Sequence, residues 1–114
     1  MKRDVRLYLQ DILESISAIE EYALPLTEEE FYGNRQTQDA VIRRLEIIGE
    51  AAKNIGEETR CKYPDMPWKK IAGMRDVLVH EYFGVNLKRV WEVIKTDLPN
   101  LKQKMLVIME VENT

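Results

Sequence analysis

The chain has 114 residues, 45% of them hydrophobic and 32% charged, with a formal net charge of −3. That size and balance fit one domain over residues 1–114, and five glycines and four prolines with no biased tract exclude a collagenous, linker-like or intrinsically disordered chain. A negative net charge excludes a protein that holds nucleic acid by bulk electrostatics alone and leaves local basic patches as the route to an anion.

The longest uninterrupted apolar run, Met105 to Met109, falls far short of the roughly 20 residues that cross a bilayer, so no membrane partner is expected. The opening Met1-Lys2-Arg3-Asp4-Val5-Arg6 turns charged at once, without the apolar stretch of a secretory signal, and the expected location is the cytoplasm. Cys61, the single cysteine, has no Cys or His cluster beside it and reads as a plain thiol, with no disulfide, structural metal or cofactor implied.

Val5, Leu9, Ile12, Ile16, Ile19 and Ala23 repeat at three and four residues, the stripe of a first helix that Pro25 stops. Thr27-Glu28-Glu29-Glu30 has the form of a capping box and predicts a short helical turn, ended by Gly33-Asn34. A second long stripe follows Thr37 through Val41, Ile42, Leu45, Ile48, Gly49, Ala52 and Ile55, predicting a helix to about Arg60. Cys61 to Pro67 reads as a connection, and Pro67 suits the first turn of a third helix with Trp68, Ile71, Met74, Leu78 and Tyr82, ended near Gly84. Asn86 can cap a fourth helix with Leu87, Val90, Trp91, Ile94 and Leu98, after which Pro99 introduces a last stretch with Leu101, Met105, Ile108 and Met109. No segment alternates with period two. The expected fold is all-α, an antiparallel bundle of four to five helices with short loops.

Charge is uneven along the chain. Residues 1–30 carry three basic and eight acidic side chains, whereas residues 60–75 carry five basic and one acidic. Such a basic run is either a solvated face or an anion site, and it leads straight into the third helix. Within that helix Asp76 and the only histidine, His80, stand one turn apart, so the carboxylate can accept from the imidazole and fix its tautomer. Arg75 and Tyr82, seven apart, share the adjacent stripe. An arginine that grips phosphate oxygens and a histidine that moves protons near neutral pH are the parts for handling a phosphodiester without metal. RNA suits them, because its 2′-hydroxyl is a nucleophile already tethered beside the phosphate. The plain alternative is a histidine satisfied by its neighbouring acid, with no chemistry. One histidine supplies an acid or a base but not both, so a homodimer that doubles Arg75 and His80 across one cleft is expected.

The stretch Arg75 to Tyr82 resembles the Arg, four residues, His, x, Tyr motif of the HepT-like toxins in the HEPN superfamily, with Asp76 at the polar position after the arginine. Residues 38–52, from Gln38 to Ala52, resemble that family's second helix, and Pro67-Trp68-Lys69-Lys70-Ile71-Ala72-Gly73-Met74 resembles the lead into its catalytic helix. Tyr82-Phe83-Gly84-Val85-Asn86, Trp91 and Asp97-Leu98-Pro99 extend the likeness over nearly the whole chain. The resemblance implies a dimeric endoribonuclease toxin acting on tRNA or mRNA, with Arg75 and His80 catalytic and Asp76 supporting. It implies a neighbouring nucleotidyltransferase antitoxin of the MntA type, which transfers AMP onto Tyr82. AMP there would occupy the stripe shared with Arg75 and compete with RNA phosphate for that cation.

Arg43, Arg44, Lys69 and Lys70 are candidates for RNA contact or are solvent-exposed helix charges. Trp68 either stacks a base or packs in the core or an interface, and Tyr8, Tyr22 and Trp91 are read as packing residues. A second functional reading keeps the same cleft without catalysis: a nucleotide-binding, regulatory helical module that partners a minimal nucleotidyltransferase.

Overall fold

The apolar stripes turn inward onto one shared core. A computed structural model describes residues 3–80 and 86–114, with side chains for 3–74 and 86–114. In chain order the helices are α1 Val5–Ala23, α2 Glu28–Tyr32, α3 Arg35–Lys53, α4 Glu57–Lys62, α5 Trp68–His80, α6 Leu87–Glu92 and α7 Leu98–Glu112. A π-helical turn, Val93–Asp97, joins the last two. There is no strand among the described residues, and the fold is the expected all-α bundle. No helix among them is long and apolar enough to cross a membrane.

Helix α3 is the middle of the packing, with α1 on one side and α5 on the other. Its Val41, Leu45, Ile48 and Ala52 are buried against Leu9, Ile12, Ile16 and Ile19 of α1 and Trp68 and Ile71 of α5. Removing one such side chain from water stabilises the fold by about 1.5–3 kcal/mol. Val90, Ile94, Leu98, Leu101, Met105 and Ile108 close the core from the C-terminal segment. Phe31, fully buried on α2, packs at 5.3 Å between ring centroids on Trp91. Tyr8, Tyr22 and Trp91 are partly buried against the same core, in line with their reading as packing residues.

The predicted caps form at Thr27, where both halves of the capping box are present, and at Asn86, whose side chain accepts from the Arg89 N–H at 3.2 Å. Asn34 caps α3 by accepting from Thr37 N–H at 3.0 Å, so this helix starts before Thr37 rather than after it.

The end of that helix also differs from the expectation. The helix predicted to reach Arg60 ends at Lys53, and α4 follows as a separate element that includes Cys61 and Lys62. Spacing alone runs smoothly into Ile55, which is buried, but the chain turns at Asn54 to Gly56 and Arg60 folds back. The Arg60 guanidinium donates to the carbonyls of Ala52 and Ile55, both at 2.9 Å, adding a second donor to the Ala52 carbonyl, which also accepts from Ile55 N–H at 3.2 Å.

Pro99 stands in the first turn of α7, as expected, and the feature that the spacing does not announce is the π turn ahead of it. Proline has no N–H to offer the carbonyl four residues earlier, and its ring crowds that carbonyl. The helix absorbs the defect just upstream as the π turn, where Leu98 N–H donates to Val93 O, and then continues as α7.

The C-terminal end of α7 is tied back to the segment before α5. The half-buried Glu112 carboxylate accepts from Lys62 Nζ at 2.8 Å and from Tyr63 Oη at 2.5 Å. The hydrogen bond from Lys62, then that from Tyr63, holds the Glu112 carboxyl below its ordinary pKa. Burial, then Glu112, pushes the Tyr63 hydroxyl up. A depressed carboxyl pKa contributes stability above the unfolded value of about 4.3 and loses it as pH falls through the lower folded value. Glu112→Gln is therefore expected to cost about 1 kcal/mol at pH 7 in urea denaturation, with the gap to the parent closing at pH 3. Gly73, in the body of α5 without positive φ, has nothing among the described residues within 4 Å of where a Cβ would stand. Gly73→Ala should raise stability by about 0.5–1 kcal/mol in the same assay.

Candidate functional site

The start of α5 is fixed by groups that the sequence places just ahead of it. The Pro67 carbonyl accepts from Ile71 N–H at 3.0 Å, and the Trp68 indole Nε1 donates to the Tyr63 carbonyl at 3.0 Å. Trp68 is buried, so it belongs to the core and is not free to stack a base. Through Tyr63 this anchor connects to Glu112 on α7.

From Trp68 the helix runs unbroken through His80, so Asp76 and His80 keep the spacing of one turn in the backbone. Arg75 follows Ile71 by four residues and Trp68 by seven, on the stripe that begins buried. Asp76 and His80 instead follow Lys69 and Gly73, on the stripe that begins open. The side chains of Arg75, Asp76 and His80, and the whole of Tyr82, lie outside the described residues.

Lys69 and Lys70 are exposed on the first turn of α5. Arg43 is exposed on α3, with Nη1 3.4 Å from Glu46 Oε2, and lines a groove with Tyr8 and Asp11 of α1. Arg44 is half-buried on the same helix. Of the four candidate RNA contacts, then, the two lysines stand on α5, whereas Arg43 belongs to the α1 side.

One feature escaped the reading of the sequence. A cleft of about 220 Å³ opens between α5 and the C-terminal segment, walled by Leu45, Met74, Val90 and Val93 and by the bare backbone of Gly73. Lys70 and Arg89, both exposed, and the half-buried Asp97 supply its polar groups. A smaller hollow of about 180 Å³ continues past Lys70 and Asp97 to Lys104. Arg89 and Asp97 lie far from the Arg75 to Tyr82 motif in the chain, and no spacing rule joins them to it. The one available hint was Asp97 before Leu98-Pro99, an acid at the start of a helix.

Comparison with known proteins gives the family. A family profile described as ribonuclease HepT-like matches residues 12–108. A Methanocaldococcus jannaschii protein, named a gamma-glutamylcyclotransferase and, provisionally, an RNase, is 56% identical over 96% of this chain, which spans 50% of that protein's length. A probable ribonuclease HepT of Thermococcus cleftensis is 48% identical over 91% of this chain and 94% of its own length. A second M. jannaschii protein with a provisional RNase name is 44% identical over 97% of this chain and 93% of its own. No solved structure gives a significant match. With a profile and full-length relatives both covering nearly all of it, the chain belongs to the HepT-like ribonuclease family.

Proposed function

We propose that the chain is the toxin of a toxin-antitoxin pair, a metal-independent endoribonuclease that cuts tRNA or mRNA as a cytoplasmic homodimer of a single 1–114 domain. The observation that carries this reading is family membership over residues 12–108 together with an unbroken helical backbone from Trp68 through His80. That backbone keeps Asp76 and His80 in the spacing that lets a carboxylate orient an imidazole.

In this reading Arg75 holds the non-bridging oxygens of the scissile phosphate and stabilises the charge that builds on them. The RNA 2′-oxygen attacks phosphorus and the bond to the 5′-oxygen breaks, leaving a 2′,3′-cyclic phosphate and a 5′-hydroxyl. One His80 takes the proton from the 2′-hydroxyl and the His80 of a second copy returns one to the departing 5′-oxygen, so protons balance. Asp76 fixes the tautomer, and Lys69 and Lys70 draw the strand toward the helix.

Regulation follows from the same helix. A nucleotidyltransferase antitoxin of the MntA type transfers AMP from ATP to the Tyr82 oxygen, which bonds the α-phosphorus as the hydroxyl proton and pyrophosphate leave, and the added phosphate competes with RNA for Arg75.

Protein made without any nucleotidyltransferase and incubated with total tRNA in excess EDTA should cut RNA, and His80→Ala should lose at least about 100-fold in rate. If neither protein cuts and both bind RNA or nucleotide alike, the non-catalytic binding module is the better account. Tyr82→Phe should retain cleavage while losing AMP transfer from the partner, read by intact mass. Modification of that variant to the same stoichiometry would rule out Tyr82 as the acceptor.

A further inference from the structure

We infer that the cleft between α5 and the C-terminal segment is a base-reading pocket, which takes one unstacked guanine of the RNA strand and reads it with Asp97. The inference rests on the ribonuclease reading for the class of ligand and on the cleft itself for the base.

The size and lining of the cleft suit a flat ring. An apolar cavity of about 150 Å³ is enough to hold benzene, and this cleft measures about 220 Å³ with aliphatic walls from Leu45, Val90 and Val93. Gly73 widens it on the α5 side, where no side chain stands. Sequence-specific recognition of RNA works on unstacked bases inserted in such pockets and hydrogen-bonded along their Watson–Crick edge.

Asp97 has no structural task that would account for it. It occupies the N-cap position of α7, yet its side chain makes no capping hydrogen bond, because its own backbone is helical at φ −74° and ψ −44°. Among the described residues it has no hydrogen bond or ion pair, although it is half-buried on the wall of the cleft. It also ends the π turn, a local defect of the kind that concentrates at functional sites.

An ionised carboxylate only accepts hydrogen bonds, and its two oxygens match two adjacent donors. Guanine presents such a pair, N1–H beside the N2 amino group. Adenine and cytosine set one amino group beside a ring-nitrogen lone pair, and uracil has one N–H flanked by carbonyls, so each of these turns an acceptor toward the carboxylate. Lys70 and Arg89 flank the cleft, and Lys104 continues the line, so the phosphates on either side of an inserted base meet cations.

The placement also fits the candidate chemistry. Gly73 shares the stripe of Asp76 and His80, and His80 lies about 10 Å further along α5 at 1.5 Å rise per residue, within reach of a neighbouring nucleotide of the same strand.

The test is equilibrium binding of U-rich oligoribonucleotides with one central A, C, G or U, 2′-O-methylated so that none is cut, with cleavage of the unmethylated set measured alongside. Wild type should prefer G by about 10- to 100-fold, as a bidentate base contact allows. Asp97→Asn should bring the four within about two-fold of one another with little change for the U control, whereas Arg89→Ala should weaken all four alike and flatten the salt dependence. Gly73→Leu, which puts a side chain into open space at the cleft, should also remove the preference while leaving the helix folded by circular dichroism. Equal binding of the four by wild type, or a G preference that survives in Asp97→Asn and Gly73→Leu, overturns the inference. Free GMP competing as well as the G oligonucleotide overturns the assignment to an RNA strand. A G preference that depends on Asp97 without cleavage of any RNA supports the pocket and defeats the ribonuclease reading, and cleavage without base preference does the reverse.

Discussion

Everything in this molecule depends on α3 packing against two helices at once. Its stripe of Val41, Leu45, Ile48 and Ala52 is buried between α1 and α5, and Gly49, Ala51 and Ala52 keep its C-terminal half slim enough for both neighbours to come close. Core packing at this density leaves little freedom for α5 to slide, because any shift along its axis would open voids beside Leu45 and Ile48. A helix that carries the candidate catalytic residues is thereby tied to the most buried part of the fold, which is how a site gains precision from its scaffold.

A short set of polar ties complements that packing at the start of α5. Arg60 satisfies the carbonyls at the end of α3, Tyr63 receives the Trp68 indole on its carbonyl, and its hydroxyl reaches Glu112 at the far end of α7. Each tie uses a backbone carbonyl or a carboxylate at a helix end or turn as its acceptor. Together they connect α3, the segment before α5 and the end of the chain, so the amino-terminal end of α5 is defined by contacts from three directions.

At the other wall of the cleft, one proline sets the geometry. Pro99 cannot donate its backbone nitrogen, the helix answers with a π turn, and that turn ends in a carboxylate lining an apolar hollow. The same residue, set at the start of a free-standing helix, would be an ordinary cap. Because the helical segment runs through without a break, Asp97 has helical backbone and its side chain stays available. The combination of an aliphatic cleft, a carboxylate without a partner among the described residues and flanking cations distinguishes this surface from the groove beside Arg43, which has an ion pair of its own.

Much of this was legible in the amino-acid sequence, for reasons that are local. Apolar spacing in Val5 to Ala23 and Val41 to Ala52 marks helices because burial of one face needs no knowledge of the partner, and Thr27 and Asn86 mark helix starts because their caps bond residues three positions on. The order of segments carries the family, and the backbone spacing of Asp76 and His80 follows from helix geometry alone. What the sequence left open required contacts between distant residues. The end of α3 at Lys53 depends on Arg60 folding back, the burial of Trp68 on the wall made by α3, and the continuity past Pro99 on a π turn that no periodicity announces. The cleft is the clearest case: Leu45, Gly73, Arg89 and Asp97 come from three separate stretches of chain. Short-range spacing determined which segments are helical and which helix holds the candidate chemistry, and only tertiary packing, which brings together residues dozens of positions apart, decided what stands beside it.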